Sequence, residues 1–507
     1  MSSLGAPRTH LAAIVAKVML VASLAAQEPS LPPGLAPAPT EAKQEPGLPP
    51  GLAPAETSQE PGLPPGLAPA PDQAKQEPGL PPGLAPTAPA PTSTEDGAAP
   101  DLLRELRLTG FLDLRAGARL RRDPFSRTAS VAEARLRLET ERPLGAFVLS
   151  AKGDLVLDAL ETSWTPDLES GRGFFDLREA SAAVSPLPWL DLKLGRQVLT
   201  WGTGDMLFVN DLFPKDWVSF FVGRDEEYLK APSDALRVGA FTGIVNVDLV
   251  ATPRFDPDRF VRADRLSFFD PIAGRQVGRD LVREPQVPDD WFDDGELALR
   301  VYRNLDGVEL AGYAYRGYWK SPAGFDPASG RPTFPELQVY GLSARTQLAS
   351  GIANFELGYY DSRDDAGGDD AFVDNSQVRA LLGYERDLPE VADALTVGVQ
   401  YYLEAMLQHD DFVRTLPPGA PWRDELRHVV TLRVTKLLLE QRLRLSTFAY
   451  VSPSDHDVYL RAAASYTLDD QWSVTLGANV FAGEDDDTFF GQFDRNTNVY
   501  VAARLSF

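Results

Sequence analysis

The chain contains no cysteine in 507 residues. That excludes a disulfide framework and any thiolate metal site. Histidine is nearly as scarce: His10, His409, His428 and His456 lie far apart, so a histidine-ligated metal centre is not expected. No Gly-x-Ser-x-Gly elbow accompanies His428 or His456, and a serine hydrolase needs its nucleophile beside a base. The chain therefore does not read as an enzyme, and no cofactor or metal is implied. Cations are also in deficit, 49 Lys and Arg against 73 Asp and Glu, for a net charge of -24. A phosphate-binding protein presents a cationic face, so nucleic acid is excluded as a partner. Finally, nothing after the leader reaches the ~18 consecutive apolar residues of a membrane-spanning helix. Spanning strands need no such run, because they alternate and their hydropathy averages out.

What is present falls into three blocks. Residues 1–26 have the layout of a secretory signal: Arg8 for charge, Val18 to Ala25 as an apolar core, and Ser23-Leu24-Ala25 or Leu24-Ala25-Ala26 as a small-residue cleavage site. Lys17 interrupts the apolar run. Residues 27–100 are a tandem repeat, with Gln27, Gln44, Gln59 and Gln76 each opening a copy of Gln-Glu-Pro-(Ser/Gly)-Leu-Pro-Pro-Gly-Leu-Ala-Pro. Repeats this short and irregular cannot bury a core. Proline fixes φ and removes donors, and the glycines soften the chain, so a disordered periplasmic tether is expected. It is either a spacer or a grip on a periplasmic partner such as peptidoglycan.

Residues 101–507 change character. Leu106, Leu108, Leu112 and Leu114 alternate with Arg107, Thr109, Asp113 and Arg115; Ala132, Ala134, Leu136 and Leu138 alternate with Glu133, Arg135, Arg137 and Glu139. This is the period of two that places one face in oil and the other in water. About eighteen such segments recur, most of them long enough to cross a bilayer when tilted. The fold class is therefore all-β, a closed antiparallel transmembrane barrel of about 18 strands, with 16 as the alternative. Short links near 143–145, 186–188, 242–243, 304–307, 350–351 and 468–470 alternate with long ones at 119–129, 161–173, 202–231, 254–293, 319–334, 361–375, 409–423 and 484–494. Such sorting is what periplasmic turns and extracellular loops produce. The last stretch, Asn498 to Phe507, alternates to its final residue. It resembles the closing strand of Gram-negative outer-membrane barrels. That resemblance implies an outer-membrane lipid setting, with Phe507 as part of the signal read by the barrel-assembly machinery.

Charges on strands belong in the lumen, since facing the bilayer midplane costs ~2–4 kcal/mol. The phases put Arg107, Arg115, Arg135, Arg137, Arg427, Arg433, Arg442, Arg444, Arg461 and Arg504 on one continuous basic wall where the last strands meet the first. Only Asp113, Glu133 and Glu139 offset them there. The opposite wall carries Asp248, Glu296, Glu309, Glu356, Glu385 and Glu404 against Arg300, Arg345 and Arg379. A transverse field follows, and arginine's planar fork suits the carboxylate or phosphate of an anionic or zwitterionic solute. The acidic loop Asp364–Asp370 offers hard oxygen ligands, yet its spacing matches no ordered calcium loop.

The most specific motif is Leu194-Gly195-Arg196-Gln197-Val198-Leu199-Thr200-Trp201-Gly202, followed by Asn210-Asp211-Leu212-Phe213-Pro214. It resembles a group of Gram-negative porin-like outer-membrane proteins, related in style to alginate-export and phosphate-selective porins. The Gly483 to Gly491 hairpin loop resembles theirs too. The resemblance implies passage of a small-molecule solute without naming it. Strict alternation would turn Arg196 outward with Leu194; a bulge at Gly195 is expected to return it to the lumen. The loop after Trp201 is rich in Phe and Met, and Trp217, Phe220 and Phe221 are expected to anchor it as a constriction. Packing on the barrel rim is the alternative. Three functions compete: a channel for small polar, anionic solutes, an enzyme embedded in the barrel, and a non-conducting barrel tied to the cell wall by its repeats.

Overall fold

A computed structural model describes residues 107–161, 163–418 and 420–507. The expected signal (1–26) and repeat tether (27–100) lie outside the described residues. Eighteen strands form one antiparallel sheet. In chain order they are β1 (Thr109–Arg119), β2 (Ala129–Leu144), β3 (Phe147–Asp158), β4 (Phe175–Leu187), β5 (Leu190–Val198) and β6 (Pro232–Phe241). Next come β7 (Asn246–Thr252), β8 (Glu296–Leu305), β9 (Val308–Tyr318), β10 (Glu336–Leu348), β11 (Gly351–Ser362) and β12 (Gln377–Asp387). The last six are β13 (Leu395–Met406), β14 (Leu426–Leu438), β15 (Leu443–Ser452), β16 (Asp457–Thr467), β17 (Trp472–Gly483) and β18 (Asn498–Ser506). Two short helices, α1 (Trp217–Val222) and α2 (His409–Thr415), sit in the long connections.

The sheet closes on itself. β18 pairs with β1 from Phe111↔Ser506 to Arg119↔Asn498. The last residue extends the seam, for Phe507 and Gly110 exchange both backbone hydrogen bonds at 3.0 Å. Closure satisfies every strand's ladder and leaves no free edge, which a lipid-facing sheet requires. An eleven-residue strand such as β1 extends ~36 Å, and a tilt of ~40° stands it about 28 Å tall.

Alternation holds around the ring. Leu114, Leu157, Leu194, Leu342, Leu382, Leu476 and Val501 are exposed, while Arg115, Asp154, Glu356, Arg433, Asn479 and Asn498 are buried. The fold is thus inverted: oily side chains face out and polar ones pack inside, as a lipid solvent demands.

Four details depart from the sequence expectations. Arg107 precedes β1, exposed and with φ 47, so it is not part of the wall. Arg442 lies in the β14–β15 turn, donating to the carbonyls of Thr467 and Leu468 (2.7 Å to the latter), so it caps a turn instead of facing the lumen. The β15–β16 link, on the side of the long loops, has only residues 453–456 between its strands, which breaks the short–long alternation. Lastly, β5 carries no bulge: its register runs unbroken through Leu194↔Leu236, Gly195↔Ala235 and Arg196↔Asp234. Gly195 absorbs its strain as φ +119. Arg196 therefore stays on the side of Leu194, where it pairs with Asp234 (2.6 Å) under the carbonyl of Leu168 (2.8 Å). The irregularity falls instead in β4, where Lys152↔Glu179 is followed by Gly153↔Leu177. The extra residue, Arg178, lets Asp176 and Arg178 bury on the same side as Ser181.

Candidate functional site

The connection from β5 to β6, residues 199–231, runs inside the barrel. Its entry is set by the stretch from Gly195 to Gly202. Gly202 takes φ +82, and a Cβ there would lie 3.1 Å from the Glu356 carboxylate. That close approach lets Glu356, fully buried on β11, accept from the backbone N–H groups of Thr203, Gly204 (2.8 Å) and Asn210 (3.0 Å). Trp201 packs edge-on to Phe213 at 4.9 Å and tilts against Tyr313 on β9 at 6.1 Å. Gln197 is buried and bonds the carbonyls of Gly195 and Ala235, holding the strand end from which the loop departs.

The middle of the loop is apolar and packs inside the lumen. Asp216 caps α1 by accepting from the Ser219 N–H at 2.7 Å, and Gly223 ends it with φ +88. Phe220 and Phe221 are 1 % and 3 % exposed. Phe221 meets Tyr459 at 5.5 Å and Phe481 at 5.4 Å, both inward-facing residues of β16 and β17. Trp217 stacks on Phe221 at 6.0 Å. Burial of each phenyl ring contributes about 1.5–3 kcal/mol, which is why a loop this oily leaves the surface.

The rest of the loop is bound by charge, and it is bound to the arginine wall. Asp205 takes Arg433 (2.9 Å), and Glu226 lies 3.4 Å from the same guanidinium. Asp225 pairs with Arg115 (2.8 Å) and with Arg504, and Glu227 pairs with Arg137 (2.7 Å). Arg461 donates to the carbonyls of Phe220 (2.9 Å) and Arg224 at the end of α1. Tyr228 inserts its ring among Arg135, Arg137 and Arg178 at 4.6, 4.7 and 5.0 Å. Burial would push the Asp225 carboxyl up, but Arg504 and Arg115 outweigh it and hold it down at about 2. Arg504 and Arg115 are thus not free to greet a solute. The sequence expectation that only Asp113, Glu133 and Glu139 offset this wall is corrected: the inserted loop brings Asp205, Asp225, Glu226 and Glu227 to it.

Not every expected wall residue joins this contact. Arg444 faces the lumen with no carboxylate within 4.0 Å among the described residues, Glu226 feeling its charge only from farther off. Arg427 faces the lumen farther toward the long loops and pairs with Asp455 at 2.6 Å. On the opposite wall, charges pair mainly along the sheet: Arg237–Asp248 at 3.3 Å, Arg300–Glu309 at 2.7 Å and Arg379–Glu404 at 3.3 Å. His428 points outward and bonds Tyr401 at 2.8 Å. In the acidic loop, Asp365 accepts the N–H groups of Asp369 (3.1 Å) and Asp370 (3.0 Å), so its oxygens serve the loop's own turn.

Sequence reasoning missed the loop's carboxylates and the inward pair Asp176 and Arg178. One signal was available: Asp225-Glu226-Glu227 is an acidic run inside an otherwise oily loop, in a barrel whose polar faces lean basic.

On the long-loop side of the insert lies a cavity of about 770 Å³. Its floor includes Phe208, Trp217 and Phe220, and its wall includes Arg379, Glu404 and Arg427.

No family model matches this chain, and no curated protein is similar to it in sequence. Among solved structures it is similar to a triple mutant of the Rhodopseudomonas blastica porin, at 13% identity and TM-score 0.35 over 79% of this chain and 99% of that one. It is also similar to Pseudomonas aeruginosa OccD3 (OpdP), at 10% identity and TM-score 0.45 over 79% and 91%. A loop-deletion mutant of OmpT, an outer membrane protein of Vibrio cholerae, gives 9% identity and TM-score 0.36 over 79% and 99%. At those values no residue role carries over, and the fold rests on the chain's own strand register: a closed antiparallel barrel of eighteen strands with a loop bound in its lumen.

Proposed function

We propose that this protein is an outer-membrane channel for small polar solutes, narrowed by residues 199–231. The single observation that carries this reading is the inverted barrel with an apolar, arginine-pinned segment inside it. An oily outer face suits lipid, a charged lumen suits a hydrated path, and a segment held across that path sets its width. Residues 1–26 and 27–100 fit this reading as an export signal and a periplasmic tether, with peptidoglycan as a candidate partner and the barrel-assembly machinery reading the strand that ends at Phe507.

Anion preference is the finer part of the proposal. Its support is now narrower than the whole wall, because Arg115, Arg137, Arg433 and Arg504 are ion-paired to the loop. Among the described residues of that wall, Arg444 is left without a carboxylate partner for a passing solute, and Arg345 is so placed on the opposite wall.

One observation favours a second reading, a non-conducting barrel anchored to the cell wall. The loop touches wall residues from Glu356 on β11 round through Arg433, Arg461 and Arg504 to Arg137 on β2. Planar-bilayer recording of the parent and of a chain lacking residues 206–224 separates the two. The channel reading expects unitary steps in the parent and larger ones after deletion. A silent parent that opens only on deletion favours the plugged anchor, and a deletion with unchanged steps removes the loop from the conduction path.

A further inference from the structure

The cavity on the long-loop side holds an arrangement that the channel reading does not require. Arg379 on β12, Glu404 on β13 and Arg427 on β14 are direct cross-strand partners, forming one row across three strands. Neighbouring strands lie ~4.8 Å apart, a step comparable to the distance between hydroxyls at opposite ends of a hexose ring. The row is only partly self-satisfied. Arg379 donates through Nε and one terminal nitrogen to Gln377 at 2.9 and 2.7 Å, its Nε lies 3.3 Å from Glu404, and Glu404 accepts from Tyr402 at 2.7 Å, which leaves one terminal nitrogen of Arg379 for a ligand. Arg427 engages Asp455 through Nε at 2.6 Å, and among the described residues no hydrogen bond takes its two terminal nitrogens.

Aromatic rings flank the row at both ends. The Arg379 guanidinium lies 4.1 Å from the Tyr360 ring centre, and that of Arg427 lies 4.7 Å from Phe489. Sixteen of the cavity's lining residues are Phe, Tyr or Trp, and two of them, Phe489 and Trp422, are 45% and 59% exposed. Seven lysines and arginines are balanced by eight carboxylates. That balance argues against an anionic or a cationic ligand, either of which would gain a partner and meet a like charge at the next position. Its size falls within the ~300–1,000 Å³ of small-ligand sites. A ligand that matches needs an apolar ring face for the aromatic side chains and an edge of neutral groups that both donate and accept hydrogen bonds.

We propose that this cavity binds a neutral saccharide, with Arg379, Glu404 and Arg427 bonding its hydroxyls and Phe489 and Trp422 covering a ring face. This rests on the channel reading only in treating the cavity as a point of entry, and at this cavity it puts a neutral solute in place of an anionic one. The pairing follows from chemistry: a hydroxyl both donates and accepts, so it can bridge a guanidinium and a carboxylate without setting a like charge beside either.

The test is isothermal titration of the full chain, in a detergent without a sugar headgroup, with cellobiose, maltose and sodium glucuronate. Saturable heat is expected from at least one neutral disaccharide, with weaker binding of glucuronate. Arg427→Gln and Phe489→Ala should each weaken the disaccharide about tenfold, roughly 1.4 kcal/mol. Phe489 is exposed enough that its loss leaves the barrel folded, which unchanged circular dichroism and heat-dependent mobility would verify. Absence of saturation with both disaccharides overturns the proposal. So does tighter binding of glucuronate, or binding that Phe489→Ala leaves unchanged. Conductance distinguishes the two readings: saccharide binding by a protein silent in bilayers keeps the site and removes the channel, while conduction without binding does the reverse.

Discussion

Arg115 on β1 donates to Asp225 of the inserted loop at 2.8 Å, joining residues 110 apart in the chain. Arg504 on β18 pairs with the same carboxylate. β1 and β18 are the two strands that close the barrel, so one loop residue spans the seam where the first and last strands meet. Asp113 completes the group, 3.2 Å from Arg115 and 3.4 Å from Arg504. The loop is therefore bound to the seam as well as occupying the lumen.

Asp225→Ala should loosen that seam. Two guanidinium groups lose a shared partner, at about 1–3 kcal/mol for a buried group left unsatisfied. Urea unfolding of the purified barrel should shift to lower concentration, and protease should reach residues 206–224. An unfolding midpoint equal to the parent's would mean that the seam holds without the loop.

Acid should release the same contact. The Asp225 carboxyl sits at about 2, below its unfolded value. A depressed group contributes stability that is present above the unfolded value of ~3.9 and is lost as pH falls towards 2. Between pH 5 and pH 2 the parent should lose loop protection in limited proteolysis, and Asp225→Asn should show less of that loss. A variant as acid-sensitive as the parent would assign the loss to other carboxylates.

Asp256 works in the opposite sense. It lies in the β7–β8 loop, 3.1 Å from the Asp234 N–H, and burial followed by the nearby Glu296 pushes it up to about 8. A raised group contributes stability that is fully present below the unfolded value and is lost as pH rises towards 8. Asp256→Asn, which stays neutral, should flatten the fall in loop protection between pH 5 and pH 8. Hydrogen exchange at residues 253–260 in both proteins measures this, and parallel pH profiles would contradict it.

A side chain at Gly223 would strain the loop where α1 ends. Its φ is +88, and a Cβ there would come 2.3 Å from the Tyr500 ring. The left-handed backbone alone costs an alanine about 1–2 kcal/mol, and the ring contact adds to it. Gly223→Ala should weaken loop docking and raise bilayer conductance, whereas Gly243→Ala, with open space around it, should leave conductance unchanged.

Charge selectivity has its own test. If Arg444 sets anion preference, Arg444→Glu should move the reversal potential under a salt gradient towards cations, and Arg442→Glu should not, because Arg442 caps a turn. Equal shifts from both would point to a diffuse field in place of a specific residue.

Sequence alone determined the barrel. Period-two alternation, loops sorted by length and the alternating close at Phe507 report one physical requirement, a sheet with lipid on one face and water on the other. The same alternation set the inward phase of Arg115, Arg135, Arg137, Arg433, Arg461 and Arg504, since each sits an odd number of residues from an outward leucine or valine. Gly195 was the limit of that reasoning: glycine permits a bulge or a strained but regular residue, and only the register across β5 and β6 chose the latter. Tertiary structure alone decided what the arginines do. Asp225 and Arg504 are 279 residues apart, and no local period links them. Ion pairing depends on which loop enters the lumen, and that is fixed by burial of Phe220 and Phe221 against Tyr459 and Phe481, contacts that exist only once the ring has closed.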